Sequence, residues 1–248
     1  MKTAMSIAGF DPSGGAGVLN DIKTFHALNV YGTAVITALT SQNIKRVEDI
    51  RPVDAEFIQK QVDVVLEEEN IVYAKTGMLY SPDIVKAVAS KVEEYDLKLV
   101  VDPVMVAGSG DLLSQKDLAD SLKKNLLPLA QITTPNIYEA SILSGIEINN
   151  EEDAIKAALK IGEYCDVVVT GGHLKGNDIL FNGSIKVIEG ELLETENVHG
   201  SGCTFSAATT AYLLNGCNVE DSVNKAGEFT RNSIKNGLKG TLNQFWRF

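Results

Sequence analysis

TAMSIAGFDPSGGAGVLNDIKTFHAL, residues Thr3 to Leu28, opens as a short apolar run and breaks into a glycine loop. The loop then passes into an amphipathic segment. The order is that of a buried strand, a tight loop and a helix. The same unit recurs along the chain. YGTAVITALT, NIVYAKTGML, LKLVVDPVMV, AQITTPN and CDVVVTGG are rich in Val, Ile, Ala and Thr, and most end in Gly, Pro or Asp. Between them lie DAEFIQKQVDVVLEEE, SPDIVKAVASKVEEY, SQKDLADSLKKNLL, IYEASILSG and EEDAIKAALKIGEY, with helical periodicity. Buried strands alternating with helices predict an α/β fold, with a mostly parallel central sheet and helices on both faces. DILFNGSIKVIEGELLETENV carries NG and EG turn signals and predicts one or more antiparallel hairpins at the sheet edge. Two helices, GCTFSAATTAYLLNG and VEDSVNKAGEFTRNSIKNG, close the chain. No repeat or linker divides it, so a single domain over 1–248 is expected.

Composition narrows the function. The formal net charge is −11, which disfavours nucleic acid and anionic membranes as partners. No apolar run is long enough to span a bilayer, and the N-terminal stretch lacks the apolar region of a signal peptide, so a cytoplasmic protein is expected. Cys165, Cys203 and Cys217 are odd in number and lack CxxC spacing, which argues against a disulfide framework or a zinc site.

In parallel sheets ligands sit at the carboxyl ends of the strands, and the chemically distinctive residues cluster there. HGSGCTFSAA, His199 to Ala208, places Cys203 where a glycine loop meets a helix start. Free N–H groups and the helix dipole favour negative charge at such a place, including a phosphoryl group in transfer, and would lower a thiol pKa. The same residues read equally as a tightly packed helix start with a small buried Cys. AGFDPSGGAG, Ala8 to Gly17, is a second glycine loop without the Lys-Ser/Thr ending of a Walker A motif. Asp21 follows it on the helix, where a capping or surface role competes with a ligand contact. Gln42, in TSQN, offers paired amide hydrogen bonds to a heteroaromatic ring, or sits in a solvated loop. Asp102, in VVDPVMVAGSGD, is a carboxylate suited to Mg²⁺. In TPNIYEA, Asn136 and Glu139 stand three apart, as a capping pair or as two groups facing a metal–phosphate complex. VVVTGGHLKGND offers Thr170, Gly172 and Lys175 to a nucleotide. His173 and His199 read as loop or packing residues.

Taken in order, AGFDPSGGAG, DIKTFHALNVYGTAVITALTSQN, KTGML, VVDPVMVAGSGD, TPNIYEA, TGGHL and HGSGCTFSAA resemble the hydroxymethylpyrimidine/phosphomethylpyrimidine kinases of thiamine biosynthesis. These belong to the ribokinase-like superfamily. The resemblance runs from about Ser6 to Ala211. It implies ATP- and Mg²⁺-dependent phosphorylation of 4-amino-5-hydroxymethyl-2-methylpyrimidine or its monophosphate, in a homodimer. By the same resemblance Gly9, Asp21, Gln42, Met78 and Val104 contact the pyrimidine, and Gly200, Ser201, Gly202 and Cys203 form the anion hole. Asp102 and Glu139 serve the metal, and Asn136, Thr170, Gly172 and Lys175 the nucleotide. Many ribokinase-like sugar kinases carry Asp where Cys203 stands, as base for the substrate hydroxyl. Thr170 departs from the Lys of many bacterial members, and Ser201 from a common Thr. GTLNQFWRF receives no role.

Three other readings stand beside this one. A pyridoxal or pyridoxine kinase shares the superfamily. A non-catalytic pyrimidine- or nucleotide-binding regulatory protein is a second. A thiol-nucleophile enzyme using Cys203 with His199 is a third.

Overall fold

Nine strands form one sheet in the order β3-β2-β1-β4-β5-β6-β7-β8-β9. The structure is a computed structural model that describes residues 1–106, 113–115, 117–171 and 176–247. The strands are β1 (Lys2–Phe10), β2 (Val30–Asn43), β3 (Arg46–Pro52), β4 (Tyr73–Thr76), β5 (Lys98–Val101), β6 (Ala130–Thr133), β7 (Asp166–Val169), β8 (Asp178–Phe181) and β9 (Ile185–Ile188). From β2 to β7 the sheet is parallel; β3, β8 and β9 pair antiparallel with their neighbours. The predicted mostly parallel α/β architecture is therefore the observed one.

Helices α2 (Ala55–Glu68), α3 (Pro82–Glu94), α4 (Leu118–Ser121), α5 (Ile137–Ser144) and α6 (Glu151–Ile161) cover one face. The others, α1 (Gly17–Ala27), α7 (Ser201–Leu214) and α8 (Val219–Lys235), cover the opposite face. A strand buried on both faces must be apolar at every position. β5 shows this: Leu99 and Val101 enter the core under α3 and α5, while Val100 packs towards α7 and α8. The chain runs from β1 to β2 on one side and later places β4 on β1's other side. This reversal opens a crevice beyond the carboxyl ends of β1 and β4.

Two details differ from the sequence expectation, and a third meets it. SQKDLADSLKKNLL is not one helix: α4 passes into a π turn over Leu122–Leu126 and a 3₁₀ turn over Leu127–Leu129. Pro128 supplies no N–H and crowds the preceding turn, so a regular helix cannot run through it. β3 was not foreseen. Its sequence RVEDIRP is charged because it is an exposed edge, where charge discourages pairing with other chains. The DILFNG stretch makes one hairpin, β8–β9, turning through Gly183 at φ +82. No strand or helix forms between Ile188 and α7.

Candidate active site

The two glycine loops interlock. Gly200, the residue before α7, has φ +92, and a Cβ there would lie 1.8 Å from the Gly15 carbonyl oxygen. Gly17 has φ +59, and its Cβ would lie 2.2 Å from the Gly9 oxygen. Only glycine satisfies both the left-handed backbone and the close approach. No side chain caps the start of α7. The Ser201 N–H is already bonded to the Val198 carbonyl at 3.1 Å. Of the predicted anion-hole residues, Gly202 and Cys203 therefore present the available first-turn donors.

Asp11 ties the loops together. Its carboxylate accepts from Ser13 N and Oγ at 2.8 Å each and from Ala16 N at 2.9 Å. His199 Nε2 lies 2.8 Å from the same group. Burial alone would raise the Asp11 pKa, but the bonds from His199, Ser13 and Gln42 outweigh it and hold it at about 2. His199 thus serves Asp11 and is not the base of Cys203.

A cavity opens between these loops and the ends of β1, β2 and β4. Gly9, Gln42, Met78, Val104 and Cys203, all named by the family resemblance, line it together. A Cβ on Gly9 would stand 3.1 Å from Met78 Sδ, so glycine keeps this wall open. Asp21 does not reach the wall. It is wholly buried, with Ser6 Oγ donating to it at 2.6 Å and Lys75 Nζ 3.0 Å from both carboxylate oxygens. The expected pyrimidine contact is therefore replaced by an ion pair. Helical phase puts Asp21 towards the sheet, where β4 supplies a cation.

Cys203 sits at the cavity end, but its thiol is not activated in the free protein. Burial pushes its pKa up to about 12, and Asp102 and Asp21 add to the rise. Lys75 and the Gly17 N–H act in the opposite sense without prevailing. The expected lowering by the helix start is thus overturned: the cost of a buried thiolate beside two carboxylates exceeds the field of one helix turn.

Asp102 follows β5, nearly buried. Ser206 Oγ donates to its Oδ2 at 2.9 Å. Asn136 and Glu139 form the predicted capping box: Glu139 N donates to Asn136 Oδ1, and Asn136 N to Glu139 Oε2, each at 3.0 Å. The Met105 N–H adds a bond to Glu139 Oε1 at 3.4 Å. Burial and the nearby Asp102 charge push the Glu139 pKa well above the usual carboxylate range. Thr170 N donates to the Pro135 carbonyl at 2.9 Å, which sets Thr170 beside Asn136 at the ends of β7 and β6. Gly172 and Lys175, as well as His173, lie outside the described residues.

Among the described residues no group of three or more His, Cys, Asp or Glu forms a metal cluster. The Asp102–Glu139 pair fits a divalent cation in another way. Both are hard oxygen donors, and their mutual repulsion in a buried place is relieved by positive charge.

Two features were missed from sequence. Lys75 is one; its signal is a lysine inside an otherwise apolar strand run. Gln244 is the other. Buried in the unassigned C-terminal stretch, it places Nε2 3.3 Å from Thr204 Oγ1 and also bonds Asn20. Gly240 O accepts from the His199 N–H at 3.1 Å, so this segment braces the anion loop from behind.

The phosphomethylpyrimidine kinase family matches residues 11–244. A hydroxymethylpyrimidine/phosphomethylpyrimidine kinase of Bacillus subtilis is 38% identical over 244 residues, covering 95% of this chain and 90% of that protein. A pyridoxine kinase of the same organism is 39% identical over 258 residues, covering 99% and 94%. The structure of a Staphylococcus aureus pyridoxal kinase in complex with AMP-PCP and pyridoxal superposes with TM-score 0.91 at 34% identity, covering 100% of this chain and 94% of that one. The fold is ribokinase-like, and with the family matched over almost its whole length this chain belongs to the phosphomethylpyrimidine kinases.

Proposed function

We propose that this chain is an ATP-dependent kinase that phosphorylates the hydroxymethyl group of 4-amino-5-hydroxymethyl-2-methylpyrimidine. It then phosphorylates the monophosphate to the diphosphate, for thiamine biosynthesis. The observation that carries the reading is the cavity itself: Gln42 and Met78 line it, and it ends at Cys203 and the uncapped start of α7. An amide beside an apolar wall suits a flat aminopyrimidine, and helix-start N–H groups suit the phosphoryl oxygens.

In this account Gly9, Gln42, Met78 and Val104 hold the ring. The N–H groups of Gly202 and Cys203, with Gly200 shaping the loop, stabilise charge on the transferring group. Cys203 Sγ takes the hydroxymethyl proton as the thiolate, its own proton having passed to solvent through the cavity; Lys75 and the Gly17 N–H favour that ionisation. Asp102 and Glu139 would hold Mg²⁺, which supplies positive charge to the phosphate oxygens. Asn136, Thr170, Gly172 and Lys175 serve the nucleotide side. The reading includes one domain over 1–248, a homodimer and a cytoplasmic site of action. No helix among the described residues is long and apolar enough to cross a membrane.

Pyridoxal is the second acceptor to weigh, since the pyridoxine and pyridoxal kinases above resemble this chain as closely. A thiol-nucleophile enzyme is disfavoured: it would pair Cys203 with His199 as its base, whereas His199 Nε2 is engaged by Asp11 at 2.8 Å. The test is one incubation with ATP, Mg²⁺ and both alcohols in competition, read by mass spectrometry. The account expects pyrimidine monophosphate followed by diphosphate. Pyridoxal phosphate alone moves the protein to the second acceptor, and ligand binding without product makes it a regulatory binder.

A further inference from the structure

Lys75 is wholly buried, yet it carries an ammonium among acidic groups directly under the cavity floor. A Cβ on Gly77, a cavity-lining residue, would lie 3.3 Å from Lys75 Nζ. The same Nζ is 3.0 Å from both oxygens of Asp21 and 3.5 Å from Asp102 Oδ2. Ser206 Oγ reaches that Oδ2 as well, at 2.9 Å. Two groups thus grip one oxygen of Asp102, and among the described residues no hydrogen bond is made to Oδ1. Burying such a cluster gives no stability advantage over well-packed apolar residues of similar size. Its position between the acceptor cavity and Asp102 therefore calls for another explanation.

We propose that Lys75 is a positioning residue for phosphoryl transfer: anchored on Asp21, its ammonium grips Asp102 through Oδ2 and presents Oδ1 to the phosphate side. Asp21 is the counter-charge that keeps the ammonium in place, which accounts for its burial away from the cavity. The ammonium also opposes the rise in the Cys203 thiol pKa, so one cation serves the base and the carboxylate together. Burial alone would lower the Lys75 pKa; Asp21, Cys203 and Asp102 outweigh it and hold the group above the ordinary lysine range.

The inference rests on the kinase reading, and the experiment separates the two. Lys75→Met alone strands two buried carboxylates and is expected to destabilise the fold. The informative protein is Lys75→Met/Asp21→Asn, which removes the pair together, assayed with whichever alcohol the wild-type enzyme phosphorylates. The proposal expects a thermal midpoint within about 5 °C of wild type and an alcohol KM within about 3-fold. It expects kcat to fall roughly 10- to 100-fold and the Mg²⁺ requirement to rise, as when the partner of a metal-holding carboxylate is lost. A folded double variant with wild-type kcat and Mg²⁺ dependence overturns it. Should the double variant not fold, Asp21→Asn decides, because it keeps the side-chain size and removes the counter-charge that anchors the ammonium. It is expected to lower kcat several-fold at unchanged alcohol KM, and an unchanged kcat in the folded variant overturns the proposal. Failure of the pyrimidine reading shows instead as the wrong acceptor in the wild-type enzyme.

Discussion

Asp11 and Asp178 are buried carboxylates on opposite sides of the site, and they are held in opposite ways. Asp11, in the loop beside the acceptor cavity, is met by His199, Ser13 and Ala16, and its pKa lies at about 2. Asp178 begins β8 on the proposed nucleotide side and accepts from Gly171 N at 2.9 Å. Burial is its largest influence, and with Gly171 and Arg231 only partly offsetting it the pKa stands at about 6. The acceptor half is preorganised by interlocked glycines and satisfied charge. Among the described residues the proposed nucleotide half is joined by few bonds between strand ends, from Thr170 N and Oγ1 to the Pro135 carbonyl and from Gly171 N to Asp178. A site that must exclude water from the reacting alcohol needs the first kind of construction, whereas a half that must admit and release a large nucleotide is served by the second.

The largest expected effect is at the acceptor end. Cys203→Ala should lower kcat by roughly 10²–10⁴, the range for losing a general base. Activity within a few-fold of wild type would remove Cys203 from that role. Next comes the loop itself. Gly200→Ala should cost about 1–3 kcal/mol from the left-handed backbone alone, with the contact to Gly15 adding to it. Gly202→Ala, whose Cβ meets nothing within 4 Å, should unfold in urea at nearly the wild-type midpoint. Equal losses in the two variants would break the picture of interlocked loops.

The pH dependence should distinguish the halves by sign. Asp178 has a folded pKa above its unfolded value, so between about pH 4 and 6 the unfolded chain ionises first and stability falls. Asp178→Asn should therefore gain up to about 3 kcal/mol relative to wild type as pH rises through that window. Asp11 has a folded pKa below its unfolded value. Its contribution is present above about pH 4 and is lost as pH falls towards 2. Asp11→Asn should accordingly be weaker than wild type by about 1–2 kcal/mol above pH 4, solvent screening included, and the gap should close towards pH 2. Urea titrations across pH test both; the same sign for the two variants would dissolve the contrast.

The parts legible in the sequence were those fixed by local rules. Apolar runs ending in Gly, Pro or Asp gave the strands, and the family resemblance named Gly9, Gln42, Met78 and Val104, which line one cavity. The Asn136–Glu139 spacing gave a capping box. What stayed hidden depends on partners far along the chain. Asp21 and Lys75 are 54 residues apart, and neither run reveals that α1 lays its carboxylate over β4. Gln244 meets Thr204 only because the C-terminal segment folds back behind α7. The helix start of HGSGCTFSAA suggested a lowered thiol pKa, but burial and two carboxylates from other elements reverse it. The charges of β3 masked a strand whose solvent-facing edge requires them.

The most direct test of the account is a crystal structure with 4-amino-5-hydroxymethyl-2-methylpyrimidine and a non-hydrolysable ATP analogue. The prediction places the ring between Gly9, Gln42 and Met78, with its hydroxymethyl oxygen about 3 Å from Cys203 Sγ. The terminal phosphate should lie at the N–H groups of Gly202 and Cys203. A pyrimidine bound outside this cavity, or one whose hydroxymethyl group points away from Cys203 with the phosphate elsewhere, would contradict it.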